Sequence, residues 1–315
     1  MTPDTQFARR SLVLGATAAL AGGLARPVAA QPGPPQRPSG PGGSFQARSA
    51  DGTVLTGDAQ GDPAAPEILF IHGLRQSRLS WERQFADPAL SGFRLVRFDL
   101  RGHGDSDKPA TPSAYADANR WAEDVAAVIA AAGLRRPVLV GWSLGGYVAG
   151  AYLRQQGAGR VSGVNLVDAV SKLSPDLLTP LAGRFARSTS SHDLGERVAE
   201  TADFLAACFH RPPTGADLHR MLVVNGMTAR AVNEGFTSAA VTDFEPTFQA
   251  YSGPVLVMHG AHDALVRLAM SERVAAQRPG RRLSVFPQSG HTPFWEEPER
   301  YGQELAAFVT AIAKG

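Results

Sequence analysis

Ser143 has the surroundings that most clearly predict chemistry in this sequence. It lies between two glycines in Gly141-Trp-Ser-Leu-Gly145, directly after a short apolar run at 138–140. A strand that turns sharply into a helix of small residues holds a serine hydroxyl clear of the backbone. Glycine on either side avoids the collisions that a Cβ would cause at such a turn. The pattern therefore predicts a nucleophilic serine.

A serine hydroxyl needs a base to accept its proton and an acid to orient that base. We predict His291 as the base and Asp263 as the acid, because each follows one of two successive predicted strands downstream of Ser143. Asp168 also ends a predicted strand at the same edge of the sheet, so it is an alternative acid. The ordinary interpretations are a helix cap for Asp263 and a loop residue for His291.

Acyl transfer also requires two hydrogen-bond donors for the oxyanion that forms on the substrate. The predicted donors are two backbone N–H groups. One belongs to Leu144, the residue after the nucleophile, and the other to Leu74, which follows His72-Gly73.

The predicted substrate pocket contains the aromatic residues that flank the serine and histidine in the sequence, Trp142, Phe294 and Trp295. No Arg or Lys is adjacent in the sequence to Ser143 or His291. We therefore expect a mainly apolar pocket that prefers small to medium uncharged esters.

Short apolar runs that alternate with helical patterns predict a mostly parallel central sheet with helices on both faces. Residues 169–252 interrupt this alternation with helical patterns and several prolines, which predicts a helical cap over the site. The core is then expected to consist of residues 44–168 and 253–315. The predicted strands lie at 45–50, 54–58, 67–71, 95–98, 138–142, 161–167, 255–259 and 283–286.

Residues 1–30 are predicted to be an export signal. The pair Arg9-Arg10 precedes an apolar run that is too short to span a bilayer comfortably, and the segment ends in Val-Ala-Ala30. The twin arginine is similar to a Tat signal, with the Sec route as the alternative. Residues 31–43 are mostly proline and glycine, which predicts a disordered tether. The mature chain is thus expected to be periplasmic or secreted, without stable membrane association.

The composition argues against several other classes of protein. Lys and Arg total 31 against 29 Asp and Glu, and the basic residues are dispersed, so no nucleic-acid partner is predicted. A single cysteine, Cys208, excludes an internal disulfide. The eight histidines show no metal-ligand spacing, and no spacing predicts an organic cofactor. The expected partner is a small-molecule ester, and the sequence carries no signal for the oligomeric state.

Several motifs in order resemble the α/β-hydrolase fold over residues 44–313. Among its subfamilies the chain is most similar to the cofactor-free serine haloperoxidases, which are esterases and perhydrolases. Trp142 and Arg267 depart from that subfamily, which often has histidine and proline there. The resemblance implies an ester hydrolase, with a C–C bond hydrolase or lyase and a non-catalytic ligand-binding member as alternatives. The motifs are His72-Gly73, Asp99-Leu-Arg-Gly-His-Gly-Asp-Ser106, Gly141-Trp-Ser-Leu-Gly-Gly146, His259-Gly-Ala-His-Asp263 and Gly290-His291.

Overall fold

Eight strands form one sheet in a computed structural model that describes residues 42–189 and 191–315. The strand order is β1-β2-β4-β3-β5-β6-β7-β8, in which β2 is antiparallel to both β1 and β4 and the remaining neighbours are parallel. The strands are β1 Gly42–Arg48, β2 Val54–Gln60, β3 Glu67–Ile71, β4 Arg94–Phe98, β5 Val138–Trp142, β6 Gly163–Val167, β7 Val255–Gly260 and β8 Arg282–Phe286.

Twelve α-helices accompany the sheet in the described residues. In chain order they are α1 Glu82–Phe85, α2 Ser113–Ala116, α3 Ala118–Ala132, α4 Leu144–Gln156, α5 Pro180–Ser188, α6 Leu194–Ala207, α7 Gly215–Gly226, α8 Arg230–Thr237, α9 Glu245–Ala250, α10 Leu268–Ala276, α11 Pro293–Glu296 and α12 Pro298–Lys314.

The central strands are buried on both faces, because helices cover the sheet from both sides. Every residue of β3, β5, β6 and β7 is buried. Leu69 and Ile71 of β3 pack in one apolar cluster with residues of α3, α4 and α10, whereas Ile68 and Phe70 pack in a second cluster with residues of α12. Side chains that alternate between two covered faces explain why these strands read as continuous apolar runs.

The insertion, defined here as residues 169–252, contains α5 to α9 and in its described residues has no strand. An isolated bridge joins Lys172 to Asp243 within the insertion, and a second joins Leu178 of the insertion to Val266 of the core. This agrees with the helical character predicted for the segment.

One predicted boundary is wrong by two residues. Gly42 and Gly43 were expected in the tether, but they pair with Gln60 and Ala59 as the first residues of β1. Strand pairing uses backbone groups alone, so the lack of side chains does not prevent it. The predicted signal and the rest of the tether lie outside the described residues. Among the described helices, none has the length and apolar character needed to cross a bilayer.

Candidate active site

Ser143 lies in the turn between β5 and α4, with φ 53° and ψ −116°, a left-handed conformation for a non-glycine residue. The neighbouring glycines are required by close packing. A Cβ at Gly145 would lie 2.3 Å from the carbonyl oxygen of Ile71, and one at Gly141 would lie 2.6 Å from that of Gly145. Such strain is characteristic of functional positions, and here it holds the serine at the carboxyl end of the sheet.

The turn around Ser143 is fixed by backbone hydrogen bonds on both sides. Its N–H donates to the carbonyl of Val167, and its carbonyl accepts from Gly146 and Val170. Leu144 is the first residue of α4, so its N–H has no acceptor within the helix. The positive end of the helix dipole and a free N–H therefore meet beside the serine.

His291 and Asp263 lie against each other, although 28 residues separate them in the sequence. Nδ1 of His291 is 2.7 Å from Oδ2 of Asp263, and the two side chains are 2% and 1% exposed. Oδ1 of Asp263 accepts the N–H groups of Leu265 and Val266. Burial alone would raise the pKa of Asp263, but the charge and hydrogen bond of His291 lower it below its ordinary value. Asp263 is thus ionised and orients the imidazole.

Asp168, the alternative acid, has different partners. Its Oδ1 accepts the N–H of Gly260 at 2.9 Å, and its Oδ2 has no partner among the described residues. Burial and the neighbouring Asp263 raise the pKa of Asp168 well above its ordinary value. The structure therefore places Asp263, and not Asp168, in contact with the histidine.

Three side chains with metal-ligand chemistry, Asp168, His259 and Asp263, have ligand atoms within 4.8 Å of one another. Both oxygens of Asp263 already accept hydrogen bonds. Nδ1 of His259 lies 2.9 Å from Oγ of Ser271. The expectation of no metal stays a prediction, and a chelator tests it.

Leu74 and Leu144 line the same cavity as Ser143. The described residues include no hydrogen-bond partner for either backbone N–H, so both remain available to an oxyanion. The loop that carries Leu74 passes close to the serine, because a Cβ at Gly73 would lie 3.2 Å from Cβ of Ser143.

Two buried histidines fix this loop, a role that the sequence analysis missed. His72 accepts the N–H of Leu100 at Nε2, and His103 accepts the N–H of Arg75 in the same way. Each ring donates from Nδ1 to a backbone carbonyl. Burial lowers the pKa of His72 to about 4 and that of His103 to about 3, so both are neutral at physiological pH. The sequence signal for this role is weak: His72 directly follows β3, and His103 lies five residues after the end of β4.

The cavity beside Ser143 has a volume of about 240 Å³ and mainly apolar walls. Among its described lining residues there is one cation, Arg75, which is not adjacent to Ser143 or His291 in the sequence and was not expected beside the serine. Adjacency in the sequence could not reveal this residue, because the fold brings it to the serine from the loop after β3. The cavity is also lined by Phe204 and Asn233 of the insertion.

The aromatic residues predicted for the pocket, Trp142, Phe294 and Trp295, do not line this cavity. They line a separate space of about 30 Å³. The rings of Trp142 and Phe294 are 4.9 Å apart, and Nε1 of Trp142 donates to the carbonyl of His291 at 2.7 Å. Successive side chains of a strand point to opposite faces, so the residue before Ser143 packs behind the histidine rather than beside the substrate space.

Comparison with known proteins agrees with this architecture. A family model described as alpha/beta hydrolase fold matches residues 66–298. A non-heme haloperoxidase from Rhodococcus erythropolis is 32% identical over 77% of this chain and 91% of its own. A bifunctional esterase/perhydrolase from Acinetobacter calcoaceticus is 29% identical over 82% and 97% of the two chains.

Among solved structures, a Burkholderia cenocepacia protein assigned as an aryl esterase has a TM-score of 0.82 and 37% identity, covering 86% of this chain and 100% of its own. An esterase from Rhodococcus sp. ECU1013 has a TM-score of 0.78 and 30% identity, covering 85% and 98%. The chain belongs to the α/β-hydrolase fold family and is an enzyme of that family. Its similarity to haloperoxidases and esterases confirms the predicted subfamily and fold.

Proposed function

We propose that the chain is a serine hydrolase that cleaves small to medium carboxylic esters through an acyl-enzyme intermediate. The observation that carries the proposal is the buried 2.7 Å contact between Nδ1 of His291 and Asp263, because it orients the base that a serine nucleophile needs. The similarity to an esterase/perhydrolase and to an esterase supports an ester as the substrate.

In the proposed reaction, Nε2 of His291 accepts the hydroxyl proton while Oγ of Ser143 attacks the ester carbonyl carbon. The N–H groups of Leu74 and Leu144 donate to the oxyanion. His291 then returns the proton to the departing alcohol as the C–O bond breaks, leaving an acyl group on Ser143. A water molecule, deprotonated by the same histidine, releases the carboxylic acid and restores the serine. Losing one oxyanion donor typically costs about 3–4 kcal/mol of transition-state stabilisation.

A perhydrolase side activity follows from the same intermediate. Hydrogen peroxide in place of water would attack the acyl-enzyme and release a peracid, with no additional protein group required. The esterase/perhydrolase relative supports this extension.

The size of the cavity supports the expected range of substrates. At about 240 Å³ it is smaller than the roughly 300–1,000 Å³ of pockets that hold drug-sized ligands. Short acyl or aryl groups fit such a space, whereas a palmitoyl chain does not. The apolar walls support the predicted preference for uncharged esters, whereas Arg75 is a charged group among the lining residues that this prediction did not include.

We also propose that the mature chain begins at Gln31 outside the cytoplasm, without stable membrane association. The twin arginine, the short apolar run and the small residues before the cleavage position support this proposal. The proposed partner is a small-molecule ester, with no nucleic acid.

A fluorophosphonate probe and a series of p-nitrophenyl esters test the hydrolase proposal. The wild-type chain should react with the probe and hydrolyse the acetate and butyrate faster than the palmitate. Ser143→Ala should lose both activities, while Ser91→Ala, an exposed serine, serves as the matched control. Absence of probe labelling in the wild-type chain would favour a non-catalytic ligand-binding protein. Fastest turnover of palmitate would exclude a small covered cavity.

A further inference from the structure

Arg75 is a buried cation that has no acidic partner among the described residues. Arg75 is only 6% exposed. Nε donates to Oδ1 of Asn225 at 2.7 Å, and Nη2 donates to Oγ1 of Thr201 at 2.5 Å. Both acceptors are neutral, and Nη1 has no protein partner in the described part of the chain. The charge of the guanidinium is therefore uncompensated.

Arg101, a second buried arginine of this protein, differs from Arg75 because its charge is balanced by carboxylates. It pairs with Asp124 at 2.6 Å and with Asp51 at 2.9 Å. Burial lowers the pKa of Arg101, but these two carboxylates raise it overall. For Arg75, burial lowers the pKa to about 10, and no carboxylate opposes that effect. Arg75 remains protonated at neutral pH, so it retains an unmatched positive charge.

Arg75 lies close to the proposed site of reaction. It directly follows Leu74, whose N–H is a proposed oxyanion donor, and it lines the cavity with Ser143. Its guanidinium carbon lies 6.0 Å from the ring centre of Phe204, which lines the cavity too. A bound anion in this cavity would supply the missing negative charge.

The rest of the cavity decides what kind of anion fits. Its described lining residues include no second Arg or Lys, so a singly charged group is matched better than a phosphate. Asn233 also lines the cavity, and its buried Oδ1 is an acceptor without a partner in the described residues, so it can take a hydrogen bond from an N–H or O–H group but not bind a carboxylate. The cavity is therefore suited to a mainly apolar molecule with one charged end.

We propose that Arg75 binds a carboxylate of the substrate, so that the preferred substrates are short esters that carry a carboxylate on the acyl chain. This inference rests on the proposed ester hydrolysis and adds the charge of the substrate to it. Arg75 would act on specificity, with the apolar walls enclosing the methylene groups between the ester and the carboxylate.

Two esters that differ only at the end of the acyl chain test the proposal. These are 4-nitrophenyl hydrogen adipate, which ends in a carboxylate, and 4-nitrophenyl hexanoate, which ends in a methyl group. The wild-type enzyme should have a kcat/KM at least about tenfold higher for the adipate, mainly through KM. Arg75→Gln should abolish that preference, and Arg75→Lys should keep part of it. Arg230→Gln is the matched control, because Arg230 is an exposed arginine of the insertion with an acidic partner.

The alternative is that Arg75 only fastens helices α6 and α7 to the loop after β3. In that case Arg75→Gln lowers the rates for both esters by the same factor, and this result would overturn the proposal. A wild-type preference for the hexanoate would overturn it as well, without any variant.

Binding of monomethyl adipate to Ser143→Ala, measured by calorimetry, separates this inference from the proposed function. Binding that weakens about tenfold or more when Arg75→Gln is added supports the carboxylate site even if no ester is hydrolysed. Equal binding with and without Arg75 would exclude the site while leaving ester hydrolysis intact.

Discussion

The substitution Asp168→Asn should preserve activity. The stability of this variant relative to the wild type should increase as the pH rises. Asp168 ends β6 in a left-handed conformation, with φ 43°, and its side chain is fully buried. Its carboxyl group faces Asp263, which His291 keeps ionised, and His259 lies 3.5 Å from its Oδ1. Glu296 adds a further negative charge. Two buried carboxyls so close together do not both ionise, so the native protein holds a proton on Asp168.

The magnitude follows from linkage between protonation and unfolding. Unfolding releases the proton of Asp168 at any pH above its ordinary pKa of about 4. Between that value and the raised pKa of the native state, the free energy of unfolding falls by about 1.4 kcal/mol for each pH unit. Asparagine holds no such proton, and its amide oxygen can still accept the N–H of Gly260. The stability difference, variant minus wild type, should therefore grow with pH by up to that amount per unit.

Urea unfolding at steps from pH 4.5 to 7.5 measures this difference, and ester hydrolysis is assayed on the same samples. Asp263→Asn is the matched comparison, since it removes the charge that orients His291 and should lower turnover by about 10³–10⁴-fold. Asp168→Asn should retain most activity. A stability difference that does not change with pH would refute a protonated Asp168. A greater loss of activity in Asp168→Asn than in Asp263→Asn would make Asp168 the acid.

Three further predictions concern the nucleophile, metals and export. Ser143→Ala and His291→Ala should each remove nearly all ester hydrolysis, and the double variant should be little worse than either, whereas additive losses would argue against a shared mechanism. EDTA should leave hydrolysis unchanged, and a loss restored by a divalent ion would reveal a metal site. Arg9→Lys with Arg10→Lys should retain folded, active precursor inside the cell, and normal export of that variant would indicate the Sec route instead.

Much of the fold could be predicted because its signals are local. Strand β3 has the predicted bounds, 67–71, since it is an apolar run with clear breaks at both ends. The approach of Asp263 to His291 was also predictable. Both residues follow neighbouring parallel strands, β7 and β8, and the carboxyl ends of such strands lie at one edge of the sheet.

The composition of the cavity was not predictable, because tertiary contacts determine it. Thr201 and Asn225, which hold the guanidinium of Arg75, are 126 and 150 residues away in the sequence. No periodicity connects a loop after β3 with helices of the insertion. Trp142 was predicted in the pocket but does not line it, because the prediction relied on its proximity to Ser143 in the sequence. The alternation of side chains along β5 places the two residues on different sides instead.

Arg75 contacts the insertion with its side chain and adjoins Leu74, the proposed oxyanion donor, in the sequence. Its side chain is held by Thr201 of α6 and Asn225 of α7, and its backbone N–H is held by His103 of the core. Its left-handed backbone, with φ 62°, tolerates few alternative positions. A shift of α6 or α7 would therefore move Arg75 and, through the adjoining peptide bond, the N–H of Leu74. Under the proposed roles of Arg75 and Leu74, changes in the insertion should therefore alter kcat as well as KM.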